Sequence, residues 1–297
     1  MKKGRCLICN KEEHQIVGQL KYDYLKRFNA DFNLAKCPDC EFYYLNPLPG
    51  DDELSEIYDE EYHYDKRNWL FAIIKFFSEF SLKRDAALIK RYKSNGSLVD
   101  IGGGTGWFLN CFSSMWDRYY VDPFSKVTGL PKDVKIFNKF LEDCRFENDF
   151  FDVVVLRNVL EHTSNPYPLL KEIKRILKKD GILFIRIPNI KSFDFKVFKE
   201  HWYLVQSPGH ISFYSPNSIK ELLKKIDINV QFLKTTTFSA PLSFFRSYNF
   251  KRQSNRGSFN SFFVPFLFFF SLVYSIGSLI YAVGKGGEIK LICSKRY

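Results

Sequence analysis

A chain of 297 residues with 45% hydrophobic composition can bury a sizeable core, as an ordinary globular protein does. Its net charge of +11 raises the question of nucleic acid, but the lysines are spread over helix faces, as in KEIKRILKK. With no arginine-rich block and no RNA-binding signature, no nucleic-acid partner is expected. The opening MKKGRCLICN is basic yet lacks the apolar stretch of a secretory signal, which predicts a cytoplasmic protein.

Four of the seven cysteines come early and in pairs, Cys6-x2-Cys9 and Cys37-x2-Cys40. Two such knuckles can set four thiolates tetrahedrally around one zinc ion, a useful device for a segment with little apolar surface of its own. Disulfides are not expected in a reducing compartment, and a thioredoxin-like redox role would need one C-x-x-C inside a βαβ unit. Cys111, Cys144 and Cys293 read as small core residues. Residues 1–48 are therefore read as a zinc-binding domain. Residues 49–95, with the aromatic run NWLFAIIKFFSEFSLKR, are read as a helical linker or lid.

The stretch SLVDIGGGTGWFL then reads as a buried strand, a glycine turn and a helix over 107–116. Such a turn brings backbone N–H groups up to a nucleotide-like ligand. Trp107 stands where a dinucleotide fingerprint needs glycine or alanine, which disfavours a pyrophosphate binder. About one strand later, residues 119–121 form a second apolar run ending on Asp122, where an acid can accept both hydroxyls of a ribose. Residues 151–156 predict a parallel strand buried on both faces. Leu169, Leu170, Ile173, Ile176 and Leu177 recur at helical spacing, Gly181 is the stop signal, and 182–187 is the next strand.

Residues 229–236 and 286–296 read as the last two strands. Between them, residues 257–284 carry no charged side chain. One bilayer crossing would strand the final strand on the far side, so the segment is read as an apolar helical insertion. Its possible roles are peripheral membrane contact, packing over the core, or an oligomer surface.

The motifs Asp100-x-Gly102-x-Gly104-x-Gly106, YYVDP and FDVV…VLEH…LLKEI resemble class I S-adenosylmethionine-dependent methyltransferases. That resemblance implies an α/β Rossmann-like sheet into which the last strand inserts antiparallel. The double knuckle, FYYLNP and YDEEYHY resemble a branch with an N-terminal zinc-binding domain, many of whose members act on deoxysugars or other surface-glycan precursors. The domain reading is completed by a core at 96–237, an acceptor-site cap around 188–225, the insertion at 238–284 and the final strand at 285–297.

The expected cofactors are S-adenosylmethionine and structural Zn2+. Asp100, Gly102, Gly104 and Gly106 are placed around the methionine end and Asp122 on the ribose. Glu142 and Asp143 are candidates near the adenine, and Arg157 lines the site. Methyl transfer to a hydroxyl, or to a carbon beside a ketone, also needs a proton acceptor, which directs attention to histidine. His162 follows a strand at the carboxyl edge of the sheet.

In GHISFYS, the resemblance implies that His210 lies in the acceptor pocket as a proton acceptor, with Tyr214 beside it. Some carbon-methylating relatives carry an acid where this chain has Gly209, which leaves oxygen methylation at least as favoured. The implied substrate is a small-molecule or lipid-linked sugar, by O- or C-methylation, in surface polysaccharide synthesis. An RNA or other small-molecule methyltransferase, or a catalytically silent scaffold of the same fold, stays open at this point.

Overall fold

The computed structural model describes residues 5–20, 32–49, 69–124, 127, 130–205, 209–236, 247–248 and 285–296, with only the helical backbone given for 69–78. The N-terminal part contributes β1 (Gln15–Leu20), β2 (Phe32–Lys36) and β3 (Tyr43–Asn46), followed by α1 (Trp69–Lys90). Then come β4 (Gly96–Ile101), β5 (Trp116–Val121), β6 (Lys135–Phe137) and β7 (Phe151–Arg157). Next are α2 (Pro166–Ile176), β8 (Leu177–Pro188), α3 (Phe193–Phe198) and the two-residue β9 (Ser212–Phe213). The chain continues with α4 (Pro216–Lys224), β10 (Ile228–Thr236) and β11 (Glu288–Lys295).

Seven strands form one sheet in the order β10-β11-β8-β7-β4-β5-β6. Strands β4 to β8 run parallel, and β11 inserts antiparallel between β8 and β10. The inner strands are apolar on both faces because helices cover both. Leu98, Tyr120, Val155, Phe184 and Ile292 pack with Leu82, Ala86 and Ile89 of α1. Val99, Val121, Val154, Leu183 and Leu291 pack on the opposite face with Ile173 of α2 and Leu222 of α4.

Local chemistry explains where the helices begin. Asn165 caps α2 by accepting from the Tyr167 N–H, and Pro166 fills the first helical position, where its missing donor costs nothing. Ser215 and Ser218 form a reciprocal capping box at α4, with Pro216 again first in the helix.

A second, four-stranded sheet runs β1-β2-β3-β9. Its last strand, β9, comes from much later in the chain, with Tyr43 paired to Phe213 and Tyr44 to Ser212. The N-terminal segment is thereby joined by backbone hydrogen bonds to the loop that follows α3.

Three local expectations are corrected. The helix read over 107–116 is only a 3-10 turn, Trp107–Cys111, because Phe112 is already extended and Trp116 opens β5. The stop at Gly181 does not divide two elements: β8 begins at Leu177, and the chain jumps from the pair Phe151–Leu177 to Val153–Ile182. Cys293 is buried as expected, but Cys111 and Cys144 are partly exposed. The insertion at 257–284 lies outside the described residues. Among the described residues no helix is long and apolar enough to cross a membrane.

Candidate active site

At the carboxyl end of β4 the chain turns through Gly102, Gly104 and Gly106, all at positive φ. At Gly102 a side chain is excluded twice, by its φ of +64° and by Val159, whose Cγ2 would lie 2.6 Å from an added Cβ. Gly104, at φ +53°, faces open space, with nothing within 4 Å of where a Cβ would stand. Beneath the loop, Tyr120 donates its hydroxyl to the Gly104 carbonyl at 2.6 Å. The result is a concave strip of backbone that a ligand can approach closely.

Two acids line this cradle. Asp100 is 1% exposed and neither carboxylate oxygen has a hydrogen-bond partner. Burial pushes its carboxyl up to about 7, against the pull of Arg157 and with a further push from Asp122. An orphaned buried acid under a glycine loop matches a ligand bearing positive charge, as the methionine end of S-adenosylmethionine does. Asp122, just past β5, accepts the Gly104 N–H at 2.9 Å and the Phe124 N–H at 3.0 Å. Its place just past β5, bonded to the glycine loop, suits an acid that accepts ribose hydroxyls.

Arg157 ends β7 on the same face, over the Phe108 ring at 4.6 Å. Glu142 and Asp143 are exposed on a 3-10 turn, Leu141–Cys144, beyond the edge strand β6.

The loop after β7, whose Val159 lies against Gly102, meets the strap ending in β9. His162 and His210, distant in sequence, meet edge to face with ring centroids 4.5 Å apart. The Nδ1–H of His210 donates to the Leu204 carbonyl at 2.8 Å, which fixes the tautomer and leaves the lone pair on Nε2. Burial lowers His162 to about 4, against its backbone hydrogen bond with Gly209. Burial and the neighbouring His162 hold His210 well below the usual imidazole range. Both rings are therefore neutral near pH 7. Tyr214 is buried beside them, and its hydroxyl points to the Leu160 carbonyl at 3.5 Å.

Glu161 was not singled out in the sequence. It is fully buried, both oxygens lack partners, and burial pushes it up to about 8. The signal available was an acid flanked by apolar Leu160 and by His162, which reads equally well as the polar end of a turn.

The four knuckle cysteines converge. Sγ atoms of Cys6 and Cys40 are 3.3 Å apart, those of Cys9 and Cys37 3.4 Å, and those of Cys9 and Cys40 3.8 Å. Thiolates sharing a tetrahedral zinc at about 2.3 Å would stand roughly 3.8 Å from one another. The two turns also repeat one backbone pattern. The Cys6 N–H donates to the Lys11 carbonyl and the Cys6 carbonyl accepts from the Asn10 N–H, while the Cys37 N–H donates to the Phe42 carbonyl and the Cys37 carbonyl accepts from the Glu41 N–H. Asn10 and Glu41 both take positive φ. The donor set and geometry fit a structural zinc ion.

A glycine cradle at the end of β4, an acid ending β5 and an antiparallel last strand define a Rossmann-like class I methyltransferase fold. Residues 62–231, more than half of the chain, match the family described as "Methyltransferase domain", and the protein belongs to that family as an S-adenosylmethionine-dependent methyltransferase. An uncharacterised protein of Methanocaldococcus jannaschii is 28% identical over 149 residues, covering 50% of this chain and 72% of that one. A ubiquinone biosynthesis O-methyltransferase of Glaesserella parasuis is 38% identical over 48 residues, 16% of this chain and 20% of that relative. The Burkholderia thailandensis 1,6-didemethyltoxoflavin-N1-methyltransferase, solved with 1,6-didemethyltoxoflavin and S-adenosylhomocysteine, shares the fold. Its TM-score is 0.52 at 13% identity, covering 91% of this chain and 98% of that one.

Replacing Asp122 with alanine should weaken S-adenosylmethionine binding by roughly 10–100-fold, as loss of a charged hydrogen-bonding partner does. Calorimetry checks this, and unchanged affinity would remove Asp122 from the ribose site.

Proposed function

We propose that the enzyme methylates a hydroxyl of a sugar or glycan-precursor intermediate on a phosphate-bearing or lipid-linked carrier. The setting is the cytoplasm, with peripheral contact at the membrane face. The observation that carries the hydroxyl reading is the His162–His210 pair, with His162 in the loop whose Val159 lies against Gly102. Bound on that cradle, S-adenosylmethionine supplies a methyl group on a sulfonium, whose departure leaves a neutral thioether.

Asp100 would take the ligand's amino group and Asp122 its ribose. His210 Nε2 would accept the hydroxyl proton as the new carbon–oxygen bond forms, with Tyr214 walling the pocket. Gly209 adds support for oxygen over carbon. Its φ of +74° suits glycine and strains the acid found there in some carbon-methylating relatives.

The sugar class rests on the resemblance of the double knuckle and GHISFYS to zinc-domain methyltransferases of glycan precursors, and the net charge of +11 suits a phosphate-bearing carrier. The S-adenosylhomocysteine in the Burkholderia enzyme supports the cofactor site, and the converging thiols support zinc at Cys6, Cys9, Cys37 and Cys40.

The direct experiment gives the protein methyl-labelled S-adenosylmethionine and a lysate separated into polar metabolites, lipid-linked material, RNA and protein. Label in sugar nucleotides or lipid-linked glycans is expected, and label confined to RNA overturns the substrate class. His210→Ala should lower turnover by about 10²–10⁴-fold, the range for a general base, with cofactor affinity retained. Normal turnover would eliminate it as the proton acceptor.

A further inference from the structure

We infer that Glu161, His162 and His210 form a binding site for a divalent transition-metal ion in the acceptor wall, separate from the four-cysteine site. One carboxylate oxygen and one nitrogen from each ring all lie within 4.8 Å of one another. Ligands on one ion at about 2.0–2.1 Å stand roughly 3.3 Å apart when tetrahedral, a closure that side-chain rotation supplies.

Each ring is already held as a ligating imidazole usually is. His210 is tied through Nδ1 to the Leu204 carbonyl, and His162 has its backbone hydrogen bond with Gly209. A backbone carbonyl on one nitrogen orients the other toward a metal. The strongest independent observation is Glu161, fully buried with neither carboxyl oxygen in a hydrogen bond to another residue among the described residues. A buried carboxyl without partners is disfavoured in its charged form, and a dication shared with two imidazoles would stabilise the carboxylate there.

Two nitrogens and one oxygen favour Zn2+, Co2+, Fe2+ or Mn2+ over Mg2+ or Ca2+, which prefer all-oxygen cages. Three protein ligands also leave a position open, the pattern of zinc sites that bind a substrate oxygen. The inference takes from the proposed function only that this wall faces the acceptor. With the ion present, both histidines are ligands, so His210 Nε2 would hold the ion in place of accepting the hydroxyl proton, and the two roles exclude each other. Loss of turnover in His210→Ala fits either case, and metal binding separates them.

The test counts metal on the full-length protein. Wild type, Glu161→Gln, His162→Ala and Cys37→Ser are cleared of loosely held metal, reloaded with excess Zn2+, desalted and assayed for zinc per chain. S-adenosylmethionine affinity is measured in parallel as the control for fold and family. Glu161→Gln and His162→Ala should each hold one equivalent fewer than wild type, whether or not the cysteine site fills. Reloaded with Co2+, they should keep the thiolate-to-cobalt charge-transfer band that Cys37→Ser loses. Equal zinc in wild type and Glu161→Gln overturns the site. So does a loss that takes the thiolate band with it, since the missing ion then belonged to the cysteines. His162 is only partly buried, so His162→Ala carries the test if Glu161→Gln fails to fold. Failure to bind S-adenosylmethionine with zinc counts as expected would strike the cofactor reading and leave the metal site standing.

Discussion

Replacing Asp85 with alanine should lower the stability of the fold by about 3–5 kcal/mol, the range for breaking a buried charge network by removing one member. Asp85 sits on the inner side of α1 at 0% exposure. It accepts from Arg186 Nη1 at 2.9 Å and from Lys290 Nζ, with Arg157 Nε at 3.4 Å. Burial alone would raise its carboxyl pKa, but Arg186, Lys290 and Arg157 more than offset this and hold it below the usual range. The only other acid bonded to these three cations among the described residues is Glu288, at 2.5 Å from Arg186 Nη2.

Alanine therefore leaves Lys290 without its carboxylate partner and Arg186 with Glu288 alone. The depressed pKa means Asp85 contributes its stability above the unfolded value near 4 and loses it as the pH falls through the folded value. Urea unfolding at neutral pH measures the effect. The contrast is Lys93→Ala, which breaks a pair whose Asp180 side chain is 77% exposed and should cost no more than about 1 kcal/mol. Equal losses in the two variants would mean the buried network contributes little.

That network also marks the limit of what the sequence made legible. The glycine loop, the strand read at 151–156 and the helix after it were readable because their causes are local: turn chemistry at Gly102 and Gly104, an apolar run, and apolar residues at helical spacing from Leu169 to Ile176. The helix expected over 107–116 failed for a local reason too, since extended Phe112 and the two serines after it leave room only for a turn before β5.

Arg186 and Lys290 each stand inside an apolar strand, and Asp85 answers both. Nothing in the sequence named Asp85, which lies 205 positions from Lys290. The same holds for the site. His162 and His210 were singled out separately, by position and by resemblance, but their 4.5 Å contact depends on how the strap after α3 folds back. Glu161 acquires meaning only once its burial is known. Pairing of β3 with β9 is likewise a tertiary fact, invisible to periodicity in a strand of two residues.

The second large effect is expected at Cys37. Cys37→Ser should remove one zinc equivalent and open the N-terminal sheet to protease. Turnover should fall by more than tenfold, with S-adenosylmethionine affinity changed by no more than a few-fold. The reason is a continuous path from knuckle to pocket. Phe42, which accepts nothing from solvent at 0% exposure, receives the Cys37 N–H on its carbonyl and packs its ring 5.1 Å from that of Tyr214.

Strand β3 then pairs with β9, the Leu45 N–H donates to Ile211, and the Ile211 N–H donates to Glu161. The other knuckle is anchored separately, since Tyr167 and Lys225 both donate to the Ile8 carbonyl. Structural zinc contributes about 10–16 kcal/mol in isolated finger peptides, and here that binding free energy would order the wall that carries His210. The glycine cradle depends less on this path, because β4 and β5 are held by the central sheet. Zinc content, limited proteolysis, calorimetry and turnover on one preparation test the argument. If Cys37→Ser loses its zinc but keeps full turnover, the knuckles do not support the acceptor wall and their purpose lies elsewhere in the molecule.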